Sequence, residues 1–405
     1  MIHEQQSQHD ASPISRRTLM RAAVALAGAA ALAPAGTFAE GLAAPPDPPS
    51  VVSTPPREWG PDAPPTAYPD PDIITIDPAF GKYMLGITAI HRVWTGSTWA
   101  EGPAWSNQGR YLLFSDVQAS IQYRYIWETG EVSKFRAPSF NSNGNAFDFQ
   151  GRQLSTEDFN RRVVRWEHDG TMTVIADSYN GMSLNSPNDL VPHPDGSIWF
   201  TDPPYGDTLS EGQPDAPGGP ANPGGKQNPG TGAPGGGGKK RQLPTNVYRW
   251  DPSGSLSIVI NESDLPDPNG ICFSPDYKTL YVVSTGGGPG DTGSGGKGVI
   301  FQFDVNGATL GNMRLFSDMM IDGIHCGPDG LRADVDGNLW CSSNSQIGYS
   351  GVVVISPQGK PLGRIRLPEV CANVAFGGPK RNFLFMCGSQ SIYTLQVQTQ
   401  GAAPG

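Results

Sequence analysis

The stretch EGPAWSNQGRYLLFSDVQASIQYRYIWETGEVSKF, residues 101–135, decides the fold. It opens on a carboxylate, Glu101, continues into a short apolar segment and turns at Gln108-Gly109. A second apolar run, YLLFSD, follows, then IQYRYIW with period-two alternation, a turn containing Gly130 and a last short segment. Alternation with period two marks a half-buried strand, and Gly between such runs supplies the backbone freedom of a tight turn. The stretch therefore reads as a four-stranded antiparallel meander.

The unit recurs on either side. Its starts are Glu101 (EGPAW), Asn143 (NGNAFD), Asn188 (NDLVPH), Asn269 (NGICFS), Asp329 (DGLRAD) and Asn373 (NVAFGG). Second strands follow as YLLFSD, RQLSTED, SIWFTD, TLYVVST, NLWCSS and FLFMCG, and third strands as IQYRYIW, RVVRWE, NVYRWD, VIFQFDV, GVVVIS and SIYTLQV. A four-stranded meander repeated about every 40–50 residues is the signature of a propeller blade. Two intervals are longer, and both carry Gly/Pro-rich inserts, at residues 210–239 and 286–297. The sixth unit lacks a fourth strand, which His91-Arg92-Val93-Trp94-Thr95 can supply; pairing the first strand with the last protects the sheet edges. The sequence thus predicts an all-β, six-bladed β-propeller over residues 73–401, its last blade closed by an N-terminal strand.

Composition agrees. Gly (52) and Pro (39) are abundant among 405 residues, which favours short strands and tight turns over helices. The formal net charge is −10 and no basic run interleaves with aromatics, which argues against nucleic acid as a partner. Ser15-Arg16-Arg17-Thr18-Leu19-Met20 precedes an Ala-rich apolar run from Ala22 to Ala35, with Thr37-Phe38-Ala39 as a cleavage site. Residues 1–39 read as a twin-arginine export signal, handled by the Tat machinery and leading to the periplasm or outside the cell. The apolar run is short for a membrane span, so stable insertion after cleavage is not expected. Residues 40–72, rich in Pro and Ala, read as a linker. The five cysteines match no zinc or redox spacing; four fall in expected strands and read as small core hydrophobes.

The innermost strand of each blade lines the channel, so residues at one phase of the repeat share one ring. That ring reads Glu101, Asn143, Asn188, Asn269, Asp329, Asn373. Burying such groups without partners costs a few kcal/mol each, about 2–7 for an amide. Their convergence calls for a cation or ordered water. Carboxylate and amide oxygens are hard donors, suited to one divalent ion, calcium foremost, with magnesium, manganese or zinc as alternatives. Asn-Gly and Asp-Gly are also common turn pairs, so single members could merely cap turns, although Glu101 is a poor turn former. A second set, Asp116, Glu157 and Asp202, ends the second strands of the first three blades, 14 or 15 residues after each start. His325, four residues before Asp329, is a further candidate proton carrier. No G-x-S-x-G elbow and no H-E-x-x-H motif occurs.

At EGPAW (101–105), FSD (114–116), NRRVVRW (160–166), LNSPNDL (184–190), FTDPPYG (200–206), PNGICFSPD (268–276), PDGLRADVDGNLW (328–340) and ANVAFGG (372–378) the chain resembles the gluconolactonase/regucalcin family of six-bladed propellers. The resemblance implies one divalent metal at the top of the channel, held by Glu101, Asn269 and Asp329, with Asn188 contacting metal or substrate. It implies hydrolysis of a sugar lactone, with the metal polarising the carbonyl and Asp329, or else His325 or Asp202, taking the proton from water. Asn143, Asn185, Asn188 and Glu157 are the candidate substrate contacts. The chain departs from the family pattern at Glu157-Asp158-Phe159, at Ser284-Thr285 and at Ser186, all positions that bear on substrate contacts. A metal-dependent aryl or phosphate esterase of paraoxonase type and a non-catalytic binding propeller are the alternatives.

Overall fold

In the computed structural model, residues 47–207, 243–285 and 295–402 are described. They form six antiparallel sheets arranged as a propeller, five of four strands and one of five. The inner strands are Ala100–Ser106, Ser142–Phe147, Leu190–Pro192, Pro268–Phe273, Gly327–Ala333 and Cys371–Gly377. They adjoin one another in chain order, and the last adjoins the first. In blade six, Cys371–Gly377, Phe383–Gly388 and Ser391–Gln396 are joined by His91–Thr95 as the outer strand, with His91 opposite Thr394 and Thr95 opposite Ser391. The chain ends are thereby stitched into one sheet, leaving no open seam in the ring.

The blades hold together through the apolar faces of neighbouring sheets, and each of the blade interfaces has its own buried cluster. Trp105, Leu112 and Phe114 of blade one meet Phe385, Cys387 and Ile392 of blade six, with the Trp105 and Phe385 rings stacked at 5.9 Å. Trp340 and Val354 of blade five pack on Phe376 and Met386 of blade six. The clusters between blades two and three, three and four, and four and five are built the same way. The cluster between blades one and two is small, Ala104, Leu113 and Phe147, and an amide network takes its place. Gln122 Nε2 donates to Asn145 Oδ1 at 2.9 Å, and Arg136 Nη1 donates to Gln122 Oε1 at 2.8 Å and to Gln153 Oε1 at 2.5 Å. Second strands are sandwiched on both faces and buried almost throughout, with apolar runs such as Leu112–Phe114 and Leu280–Val283 and, in blade two, the polar Gln153–Glu157.

The described part of the expected linker is packed structure. Ile73–Thr75 adds a fifth strand to the outer edge of blade five, against Pro361–Arg366. Asp70 and Asp72 are buried. Arg57 Nη1 lies 2.9 Å from Asp70, and Arg366 binds Asp72 at 3.1 Å. Proline content signalled a spacer, but two buried carboxylates with arginine partners fasten the segment down. The export signal (1–39), residues 40–46, the first insert (210–239) and residues 286–294 of the second lie outside the described residues. All five cysteines are buried and free, and burial pushes the Cys272 thiol up to about 11.

Candidate active site at the channel rim

The residue after the ring position is glycine in four blades, and the reason is close approach between strands rather than a turn. A Cβ on Gly102 would fall 1.9 Å from the carbonyl oxygen of Asn143, and one on Gly330 would fall 2.0 Å from the side chain of Asn373. Gly144 abuts Asn188 and Gly270 abuts Asp329 in the same way. Each of these glycines therefore lets the next ring residue draw in. The ring also coincides with breaks in the ladder. Pairing with the second strand slips between Glu101 and Ala104, Ser142 and Asn145, Pro268 and Ile271, Pro328 and Leu331, and Cys371 and Asn373. Bulges re-aim side chains and free them from strand pairing, and here they do so at the channel.

Glu101, Asn143, Asn188, Asn269, Asp329 and Asn373 are all buried, none more than 7 % exposed. Burial, then the charge of Asp329, and further the charge of Asp189, hold the Glu101 carboxyl well above the usual carboxylate range. Two hydrogen bonds oppose that rise: Gly102 N donates to Glu101 Oε2 at 2.7 Å and Asn373 Nδ2 donates to it at 3.1 Å. Asn344 Nδ2 donates to Asp329 Oδ2 at 3.1 Å, while Asn344 Oδ1 is buried with no hydrogen bond of its own. Asn269 Nδ2 donates to the Tyr205 hydroxyl at 3.3 Å. Burial, with the charges of Asp267 and Asp329 adding to it, holds Tyr205 well above the usual phenol range, so it stays a neutral hydroxyl. The Arg332 guanidinium, which feels the charge of Glu101, is already matched. Arg332 Nη1 and Nη2 donate to Asp189 Oδ2 and Oδ1 at 3.1 and 3.3 Å.

Other candidates stand apart from this group. His325 lies in a short hairpin, Met320–Ile321 with Ile324–His325, and its Nε2 is 2.6 Å from the Gly298 carbonyl oxygen. It fastens that hairpin to blade four. Asp202 Oδ2 accepts from Asn185 N at 2.9 Å, and Asn185 Nδ2 donates to the carbonyls of Asp202 and Pro244 at 3.2 and 3.1 Å. Glu157 Oε2 accepts from Arg162 Nε at 2.7 Å and from Asn160 Nδ2 at 2.8 Å. Asp116 accepts from the backbone of Thr98 and Trp99. These carboxylates bind local loops and strand ends.

Tyr205, Asn344 and the Asp189–Arg332 pair escaped the sequence reading. Asn344 was within reach of it. It stands 15 residues after Asp329, the same count that picked out Asp116 after Glu101. Tyr205 lies in FTDPPYG, and Asp189 directly follows a ring residue.

Among the described residues, no three His, Cys, Asp or Glu side chains group as a metal site. The donors gathered here are instead two carboxylates and several amides, with one amide oxygen left without a hydrogen bond, and such hard oxygens fit a divalent cation of the calcium type. The fold and rim together define a six-bladed propeller with an oxygen-rich polar centre at one end of its channel. The chain belongs to the SMP-30/Gluconolactonase/LRE-like family, whose model matches residues 99–390. It is 29% identical over 334 residues to a gluconolactonase of Zymomonas mobilis, covering 78% of this chain and 83% of that one. A lactonohydrolase of Aspergillus oryzae, oryL, is 26% identical over 249 residues, 58% of this chain and 49% of its own length. Among solved structures, a gluconolactonase of Xanthomonas campestris superposes with a TM-score of 0.66 at 31% identity, covering 84% of this chain and 98% of that one.

Proposed function

We propose that this protein hydrolyses a gluconolactone-like sugar lactone to the aldonic acid at the channel rim, with one divalent ion, calcium foremost, held by Glu101, Asp329, Asn188 and Asn269. The observation that carries the metal reading is the repulsion between Glu101 and Asp329. Two buried carboxylates face one channel, and the arginine beneath them is already matched by Asp189. The relatives named gluconolactonase and lactonohydrolase support the lactone. A divalent ion, when bound, supplies Lewis acidity that polarises the lactone carbonyl.

The chain's own groups do the rest. Asp329 takes the proton of the attacking water, and Asn344 fixes the orientation of its carboxylate. Asn373 does the same for Glu101. The neutral Tyr205 hydroxyl, set against Asn269, can donate to an oxygen on which charge develops. On the same reading, the Arg16-Arg17 signal sends the protein through the Tat machinery to the periplasm or beyond, where lactone is met and aldonate released.

The test is pH-stat titration of metal-depleted protein against aldono-lactones and aryl esters, with calcium, magnesium, manganese or zinc returned singly. Lactone hydrolysis restored foremost by calcium is the expected result. Preference for aryl esters, or full activity without metal, would overturn the reading.

A further inference from the structure

Between blades one and two the wall of the propeller opens into a cleft of about 350 Å³, within the roughly 300–1,000 Å³ of small-molecule sites. It lies where the apolar cluster between these blades is small and the amide network replaces it. Phe135 and Arg136 line it from blade one, Glu157 and Trp166 from blade two. It opens at the connection between the blades, where Ala137 and Phe140 are exposed. None of its lining residues belongs to the ring, although Glu157 stands opposite Ser142, one residue before Asn143.

Two residues of opposite charge line the cleft with edges that the protein leaves unused. Arg136 Cζ lies 3.9 Å from the centre of the Trp166 ring and 4.5 Å from that of Phe135. Arg136 Nη1 donates to Gln122 and Gln153, which fixes the guanidinium, while among the described residues Nε and Nη2 donate to no acceptor. Glu157 is 3 % exposed; its Oε2 takes Arg162 and Asn160, and its Oε1 accepts no hydrogen bond from the described residues. The charge of Glu157 acts on Arg136, so the donor edge and the acceptor edge are neighbours.

At the mouth, Phe140 is held in place. Its φ of 57° and the 51° of Asn141 lie in the left-handed region, which a bulky residue seldom adopts. The turn is fastened by Asn141 Nδ2, which donates to Val117 O at 2.8 Å, and by Ser139 N, which donates to Ser120 O at 2.8 Å. A strained turn that keeps an aromatic ring exposed beside a cleft points to a contact surface.

From a fixed donor edge, a neighbouring acceptor edge and aromatic rings around one cleft, we infer that it binds a neutral polyhydroxyl ring, a hexopyranose sugar. A hydroxyl both donates and accepts, so adjacent hydroxyls take hydrogen bonds from Arg136 and give one to Glu157, while the C–H face of the sugar packs on Phe140. Glu157 disfavours a free anion in this space and Arg136 a free cation. The site is separate from the rim and independent of the lactonase reading.

Saturation-transfer NMR titrations of the full chain with D-glucose, D-galactose and D-mannose test it. The proteins are wild type, Glu157→Gln, Phe140→Ala, Ala137→Trp and Glu101→Gln, each checked for folding by circular dichroism. Wild type should bind at least one of the three sugars saturably, and Glu101→Gln should bind it equally well. Glu157→Gln should weaken binding about tenfold, as loss of a charged hydrogen bond implies, and Phe140→Ala should weaken it less. Ala137→Trp, which fills the mouth, should abolish binding, and it and Phe140→Ala should keep lactone hydrolysis. Glu157→Gln and Phe140→Ala decide the matter if Ala137→Trp folds poorly. Absence of saturable binding of all three sugars to wild type overturns the inference. So does binding that the cleft variants leave unchanged, or that Glu101→Gln loses, which would place the sugar at the rim.

Discussion

Asn373 donates a 3.1 Å hydrogen bond from Nδ2 to Oε2 of Glu101, joining the first ring residue to the last across 272 positions of sequence. Closure of the propeller and orientation of the central carboxylate are thus one event. Asn373 belongs to the machinery that sets Glu101, a role its ring position alone did not reveal.

The first prediction follows from that bond. Asn373→Ala should weaken calcium binding by about 10–100-fold, the usual cost of losing a partner behind a metal ligand. Glu101→Gln and Asp329→Asn should weaken it further, since each removes a ligand charge. Asn143→Ala should be the mildest of the four. Calcium titrations of activity, with circular dichroism as the folding check, rank them.

Chelated protein offers a second prediction, on pH. Burial and the charges of Asp329 and Asp189 raise the Glu101 pKa in the folded state above its unfolded value. The folded state therefore binds the proton more tightly. Stability is full below the ordinary glutamate range and is lost as pH rises toward the folded pKa. Glu101→Gln lacks this loss. Its Tm relative to wild type, measured without metal, should increase from pH 4 to pH 8; a gap that stays flat or narrows contradicts the electrostatic account.

Asn344 and His325 give contrasting kinetic outcomes. Asn344→Ala frees the Asp329 carboxylate and should lower kcat by about tenfold or more with a smaller change in KM. His325→Ala cuts only a tether to Gly298 and should leave the pH profile of kcat in place. An acidic limb lost in His325→Ala would reassign the proton acceptor.

The strap before the propeller should matter for stability and not for chemistry. Asp70 accepts from Arg57 Nη1, Ile90 N and Asp72 N, each at 2.9 Å. Asp70→Ala removes the nearer of the two carboxylates at the buried Arg57, leaving Asp72 at 3.4 Å, and should cost about 3 kcal/mol, the low end of the range for breaking a buried ion pair. Urea denaturation reads the loss, and kcat at a permissive temperature should be unchanged.

The repeat phase, the count of blades, the closing strand His91–Thr95 and the identity of the six ring residues were all legible in the sequence. The reason is that strand periodicity and turn chemistry are local, and a fixed repeat converts local phase into position around an axis. Partner choice was not legible. Asp202, Glu157 and Asn344 occupy the same phase in different blades, yet Asp202 holds the backbone of Asn185, Glu157 holds Arg162, and only Asn344 reaches a ring carboxylate. Nothing local to Arg332 marks it as the partner of Asp189, 143 residues away. Nor does the proline-rich segment before residue 73 advertise the arginines that bind Asp70 and Asp72. Hydrogen bonds and ion pairs act over about 3–4 Å. Which groups come that close is decided by how the blades pack, and that packing exists only in the tertiary structure.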